Sequence, residues 1–116
     1  MNRVFVTLPT FDKLWTEARL TDLDLSKLQA HLLANPKSGD AVQGTNGLRK
    51  LRWNLPGQGK RGSVRVFYLD LETRHLIFLL TILKKNEKSD LAPLEIKLVR
   101  KLIASIKDAY RRKGDG

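Results

Sequence analysis

Between Ala41 and Leu69 the chain carries Arg49, Lys50, Arg52, Lys60, Arg61 and Arg65 and no acid. The same stretch holds Leu48, Leu51, Trp53, Val64, Val66, Phe67 and Tyr68. Uniform positive charge and large apolar side chains cannot share one core. They can share a β-sheet, because alternate residues of a strand point to opposite faces. Leu48 to Leu55 then places Leu51, Trp53 and Leu55 on one face and Lys50, Arg52 and Asn54 on the other. Ser63 to Asp70 places Val64, Val66 and Tyr68 on one face and Arg65, Phe67 and Leu69 on the other. The segment predicts a positive surface on a rigid scaffold, and the commonest ligand for such a surface is a phosphate backbone.

A third strand follows. His75 to Leu83 is apolar at nearly every position, the pattern of a strand covered on both faces. The turns Pro56 to Gly62 and Leu71 to Arg74 are short, so the three strands predict an antiparallel meander.

Before the meander, Val4 to Leu8 predicts a strand, ended by Pro9 and Thr10. Thr10 is placed to cap a helix starting at Phe11, with Asp12 at its positive end and Leu14, Trp15 and Ala18 on its apolar face. Thr21 or Asp22 opens a second helix, whose stripe is Leu25, Leu28, Leu32 and Leu33. Asn35 to Gly39 stops it, and Gly44-Thr45-Asn46-Gly47 is a turn. After the meander, Ala92-Pro93 opens a last helix with the stripe Ile96, Val99, Leu102, Ile103, Ile106 and Tyr110. Arg111 to Gly116 is expected to fray. The order β-α-α-β-β-β-α predicts an α+β fold, a small antiparallel sheet with helices packed on it. With 116 residues and no internal repeat, one domain over residues 1–116 is expected.

The net charge of +10 is uneven. Residues 1–40 are neutral overall, residues 41–69 contribute six positive charges, and residues 70–116 four more. A polyanionic partner follows from that concentration: RNA, DNA or an acidic protein segment. Cysteine is absent, which excludes disulfides and thiolate metal sites. The N-terminus has no apolar signal-peptide core, and Leu76 to Leu83 is too short to span a bilayer. A soluble cytoplasmic protein without membrane contact is expected.

Arg65 is the sharpest candidate for chemistry. It stands mid-strand between apolar neighbours, where an unpaired guanidinium is costly. Either it pairs with Asp70, Glu72 or an acid of the last helix, or it opens into a cleft as a phosphate clamp. Lys84 to Asp90 follows the apolar strand directly and is well placed for a site, or is a solvated turn. His31 and His75 lack metal-ligand spacing, and no Ser-His-Asp or paired-carboxylate pattern is present, so no metal or cofactor is expected. Any catalysis must come from Lys and Arg. Those residues suffice to cleave RNA, because the 2′-hydroxyl of RNA is itself the nucleophile and cations stabilise the pentacoordinate phosphate.

Three segments resemble the RelE/HigB-type toxins of bacterial toxin–antitoxin pairs: Gly44 to Trp53, Gly59 to Tyr68 and Leu83 to Leu91. The resemblance implies a RelE-like, microbial-ribonuclease-like fold. It implies an mRNA endoribonuclease that acts on the ribosome, inhibits translation and is neutralised by a cognate antitoxin of helix-turn-helix type. By motif position it makes Arg65 the phosphate-stabilising arginine and Lys84 and Lys85 the acid/base or transition-state cations. It gives RNA or ribosome contact to Arg49, Lys50, Arg52, Lys60, Arg61 and Lys88. Several family members place a catalytic Tyr or His near the C-terminus. Here the last helix offers Tyr110, whose spacing fits the apolar stripe, and Tyr68 has the parity opposite to Arg65. The general base is left open. The same fold hosts ParE-type toxins that inhibit DNA gyrase, and a plain nucleic-acid-binding module is the third reading.

Overall fold

The structure, a computed structural model, describes residues 2–54, 62–84 and 90–115. The elements are β1 (Val4–Thr7), α1 (Pro9–Glu17), α2 (Asp22–Ala34), β2 (Asp40–Ala41), β3 (Leu48–Asn54), β4 (Ser63–Leu71), β5 (Leu76–Lys84) and α3 (Pro93–Asp115). They form a five-stranded sheet of order β1-β5-β4-β3-β2. The meander β3-β4-β5 is antiparallel as expected, while β1 pairs parallel to β5 after the two-helix excursion. The α+β class stands. The two-residue strand β2, paired with Lys50 and Arg49, is an addition to the expected order.

The apolar strand β5 is explained by two cores, one on each face of the sheet. Phe11, Trp15, Leu28 and Leu32 of α1 and α2 pack on Val64, Val66, Tyr68, Ile77, Leu79 and Ile82. On the other face α3 packs through Ile103 on Leu48, Phe67, Leu69, Phe78 and Leu80. Each fully buried side chain of this size contributes roughly 1.5–3 kcal/mol. The parity read from β3 and β4 holds. Leu51 and Trp53 join the first core, and Phe67 and Leu69 the second.

The helix ends show how local chemistry sets the boundaries. α2 opens with a capping box: the Thr21 hydroxyl accepts from Asp24 N at 3.1 Å, and Asp24 Oδ2 accepts from Thr21 N at 2.8 Å. α1 begins at Pro9, earlier than the Thr10 cap predicts, with Leu8 as an N-cap that makes no side-chain hydrogen bond. Proline is preorganised for the first helical turn and needs no donor there. Leu33 and Leu102, placed on apolar stripes by spacing, are 38% and 37% exposed. α3 extends to Asp115, beyond Arg111, where fraying is expected to begin.

The turn Gly44 to Gly47 ties the sheet to α3. Thr45 is fully buried, its hydroxyl donating to Val42 O at 2.5 Å and accepting from Leu48 N at 3.2 Å. Gly47 has φ +123°, a conformation only glycine adopts without strain. Lys107 of α3 then donates to Asn46 O at 2.6 Å.

Tyr68 holds the segment between α2 and β2. Its hydroxyl donates to Pro36 O at 2.8 Å and accepts from Gly39 N at 2.9 Å. A Cβ on Gly39 would lie 2.9 Å from the Tyr68 ring, so this close approach requires glycine. Burial pushes the Tyr68 phenol above its ordinary value of 10.0. The folded state therefore holds this proton more tightly than the unfolded chain. That contribution is complete below pH 10.0 and is lost as the pH rises further. Tyr68→Phe is expected to cost about 1–3 kcal/mol at neutral pH, by orphaning a buried donor and acceptor. Urea unfolding checks both points: the wild type loses stability above pH 10.0, and the variant loses less of it there.

Candidate active site

The cationic site grows from the pairing of β3 with β4. Register puts Lys50 opposite Phe67, Arg52 opposite Arg65, and Asn54 opposite Ser63. These residues share the α3 side of the sheet, since Phe67 is part of the α3 core. Arg52 is exposed and Arg65 half-buried, so the sheet opens to solvent at this pair. Side chains directly opposite across antiparallel strands have Cβ atoms about 4.5–5.5 Å apart, and like charges there destabilise the pairing. The chain nevertheless sets two arginines opposite each other on the ladder.

No carboxylate relieves them among the described residues. Asp70 is taken by Arg3, in a buried pair at 2.8 Å. Glu72 pairs with Lys37 at 3.0 Å, and that hydrogen bond and charge hold Glu72 below the usual carboxylate range. Among the described residues Arg65 Nη1 is buried with no hydrogen-bond partner, and so is Ser63 Oγ two positions before it on the same face. A buried unpaired donor costs roughly 1–3 kcal/mol. Two such groups beside an exposed arginine define a place where anionic oxygens would be welcome. The ion-paired reading of Arg65 with Asp70 or Glu72 is thereby removed.

Lys50 has a different setting. Its ammonium lies 3.1 Å from both oxygens of Asp90, at the entrance to α3. The pair is exposed on the Asp90 side, and it marks one border of the cationic face.

The structure separates other candidates from this face. Arg49 pairs with Tyr68 and belongs to the α1–α2 side. Its guanidinium donates to Gly39 O at 2.6 Å and Lys37 O at 3.3 Å, so it fastens the chain before β2 and does not line the site. Lys84 pairs with Val64, whose side chain is in the α1–α2 core, so alternation assigns Lys84 to the face opposite Arg65. Lys60, Arg61, Lys85 and Lys88 lie outside the described residues. Tyr68 is committed to Pro36 and Gly39, as its parity requires. Tyr110 packs edge-on against Phe78 with centroids 5.8 Å apart. His31 lies against the Trp53 ring and hydrogen-bonds Ser38, a structural role.

Sequence reasoning missed Ser63, although its parity with Arg65 was a legible signal. Asp90 closes the Lys84 to Asp90 segment that the sequence singles out, but its pairing with Lys50 spans 40 positions and had no local signal. Among the described residues no group of His, Asp or Glu is placed to hold a metal ion, and no helix is long and apolar enough to cross a membrane.

A five-stranded α+β sheet that sets Arg52 opposite Arg65 defines a small basic protein with a cationic face. The family model described as the RelE toxin of the RelE/RelB toxin–antitoxin system matches residues 2–113. The chain belongs to the RelE toxin family, and that family implies an antitoxin partner. Among solved structures, a doubly substituted E. coli toxin RelE in the free state is similar in fold. The match has a TM-score of 0.53 and 17% identity, and covers 72% of this chain and 84% of that one.

Proposed function

We propose that this toxin is an endoribonuclease that cuts mRNA, on the ribosome, without a resident metal. The observation that carries the reading is the Arg52–Arg65 pair, two arginines opposite each other on the ladder without a described counter-ion, beside the Ser63 hydroxyl, which has no described partner. In RNA cleavage the 2′-hydroxyl gives its proton to a base as its oxygen attacks the adjacent phosphorus, and the P–O5′ bond breaks with an acid supplying a proton to the leaving 5′-oxygen. Negative charge builds on the non-bridging oxygens in between. Cations and donors already fixed where that charge develops lower the barrier, because no reorganisation is needed. Arg65 supplies a planar fork for those oxygens, and Arg52 a second positive charge across the ladder. Lys50, released from Asp90, is the described ammonium nearest in register for proton transfer to the 5′-oxygen. Lys85 remains a second candidate for that task on sequence grounds. Lys84 is better suited to contact RNA around the end of the sheet than to share the phosphate with Arg65. A gyrase inhibitor of ParE type would not need buried, unsatisfied donors on a cationic face.

The chemistry leaves a signature. Attack by the 2′-oxygen yields a 2′,3′-cyclic phosphate and a 5′-hydroxyl. Purified toxin added to translating ribosomes is expected to produce mRNA fragments with 5′-hydroxyl ends, which ligate only after kinase treatment. Intact mRNA together with inhibited gyrase supercoiling would transfer the protein to the ParE-type reading.

A further inference from the structure

α3 is wider in its apolar character than its packing requires. Ile103 is fully buried against the sheet, with Ile96, Val99, Ile106 and Tyr110 packed beside it. One flank of the helix is fastened to the turn before β3: Arg100 donates to Gly44 O at 3.3 Å and Lys107 to Asn46 O at 2.6 Å. The other flank carries Leu94, Leu98 and Leu102, which are 67%, 58% and 37% exposed. Their spacing of four residues stacks them in one ridge, the unit of helix-on-helix packing. Lys97 and Lys101, both exposed, stand beside the ridge.

We propose that this ridge is the docking surface for an acidic amphipathic helix of the antitoxin. The proposal rests on membership of a toxin–antitoxin family, which requires such a partner, and is independent of the ribonuclease reading. Charge selects the occupant. A second copy of this chain would bring Lys97 and Lys101 of both molecules together, in a protein of net charge +10. A partner helix with leucine-like residues on one stripe and Asp or Glu beside it satisfies both the ridge and the lysines. The position also suits neutralisation. Leu94, in the first turn of α3, is four residues after Asp90, the residue that holds Lys50 at the border of the cationic face. A helix seated here carries its acids to the edge of the surface that receives phosphate.

The test uses the purified full-length toxin. The probe is the protein from the neighbouring reading frame that relieves growth arrest on co-expression, and binding is measured by calorimetry without RNA. Leu98→Ser is expected to weaken binding about 30-fold, a hot-spot effect, with an unchanged melting temperature because the side chain is exposed. Lys97→Glu with Lys101→Glu is expected to weaken it about tenfold and to remove most of its salt dependence. Unchanged binding of the leucine variant overturns the site, and unchanged binding of the charge variant overturns the acidic character of the partner. A wild-type toxin that dimerises alone, and whose Leu98→Ser form is monomeric, assigns the ridge to a second copy and also overturns the proposal. Absence of RNA cleavage would leave all these results standing, so the two readings fail separately.

Discussion

Arg65→Ala is expected to lower RNA cleavage by about a hundred- to a thousandfold while leaving the protein folded. The size follows from the loss of one preorganised donor group aimed at developing charge. The retained fold follows from the ladder. Arg65 is opposite Arg52 across β3 and β4, and its Nη1 has no described partner, so removing the guanidinium breaks no ion pair among the described residues. Relief of the facing charges is expected to leave the melting temperature equal to or above that of the wild type. Arg65→Lys separates charge from shape. Lysine keeps the positive charge but not the fork that matches two phosphate oxygens, so partial activity is expected. A large fall in melting temperature with Arg65→Ala would assign the residue to structure instead.

The second large effect is expected at the other end of β4. Arg3 and Asp70 form a pair whose side chains are 2% and 3% exposed, with Arg3 Nε donating to Asp70 Oδ1 at 2.8 Å and Nη2 to Oδ2 at 3.3 Å. The hydrogen bond to Asp70 raises the Arg3 guanidinium above its ordinary value despite the burial that opposes it. Removing one member strands a charge in a dry site. Arg3→Ala is therefore expected to destabilise the fold by about 3–5 kcal/mol, read from urea unfolding. Arg3→Met combined with Asp70→Leu is expected to recover most of that loss, because a buried ion pair is worth little more than well-packed apolar side chains. The two arginines of β4 and its neighbourhood thus have opposite signatures. Arg65 costs activity and spares stability, while Arg3 costs stability.

That contrast marks what the sequence made legible. Period-two alternation separated Arg65 from Tyr68 within one strand and Arg52 from Leu51 and Trp53 within another, and the strand pairing then put both arginines on one side of the sheet. The continuous apolar run of β5 announced a strand with two cores, and local chemistry narrowed the opening of α2 to Thr21 or Asp22, of which the structure makes Thr21 the cap. Arg49 carried the same parity signal, since it alternates with Leu51 and Trp53, but pooling it with neighbouring charges obscured it. Its bonds to Gly39 O and Lys37 O depend on how the chain turns before β2. The Arg3–Asp70 pair spans 67 positions, beyond the reach of any local pattern. The parallel pairing of β1 with β5 and the two-residue β2 are likewise products of tertiary assembly. The side of Lys84 was hidden for a related reason. An irregularity opposite Phe67 and Tyr68 shifts the β4–β5 register, so only the assembled ladder assigns its face.

The central claim is that the face shared by Arg52 and Arg65 cuts RNA. It is tested most directly by mapping mRNA 5′ ends in bacteria expressing either the wild type or Arg65→Ala at matched levels. The account predicts new internal 5′-hydroxyl ends within open reading frames for the wild type and almost none for the variant. Growth arrest by the wild type with no new ends, or the same ends from both proteins, would contradict it.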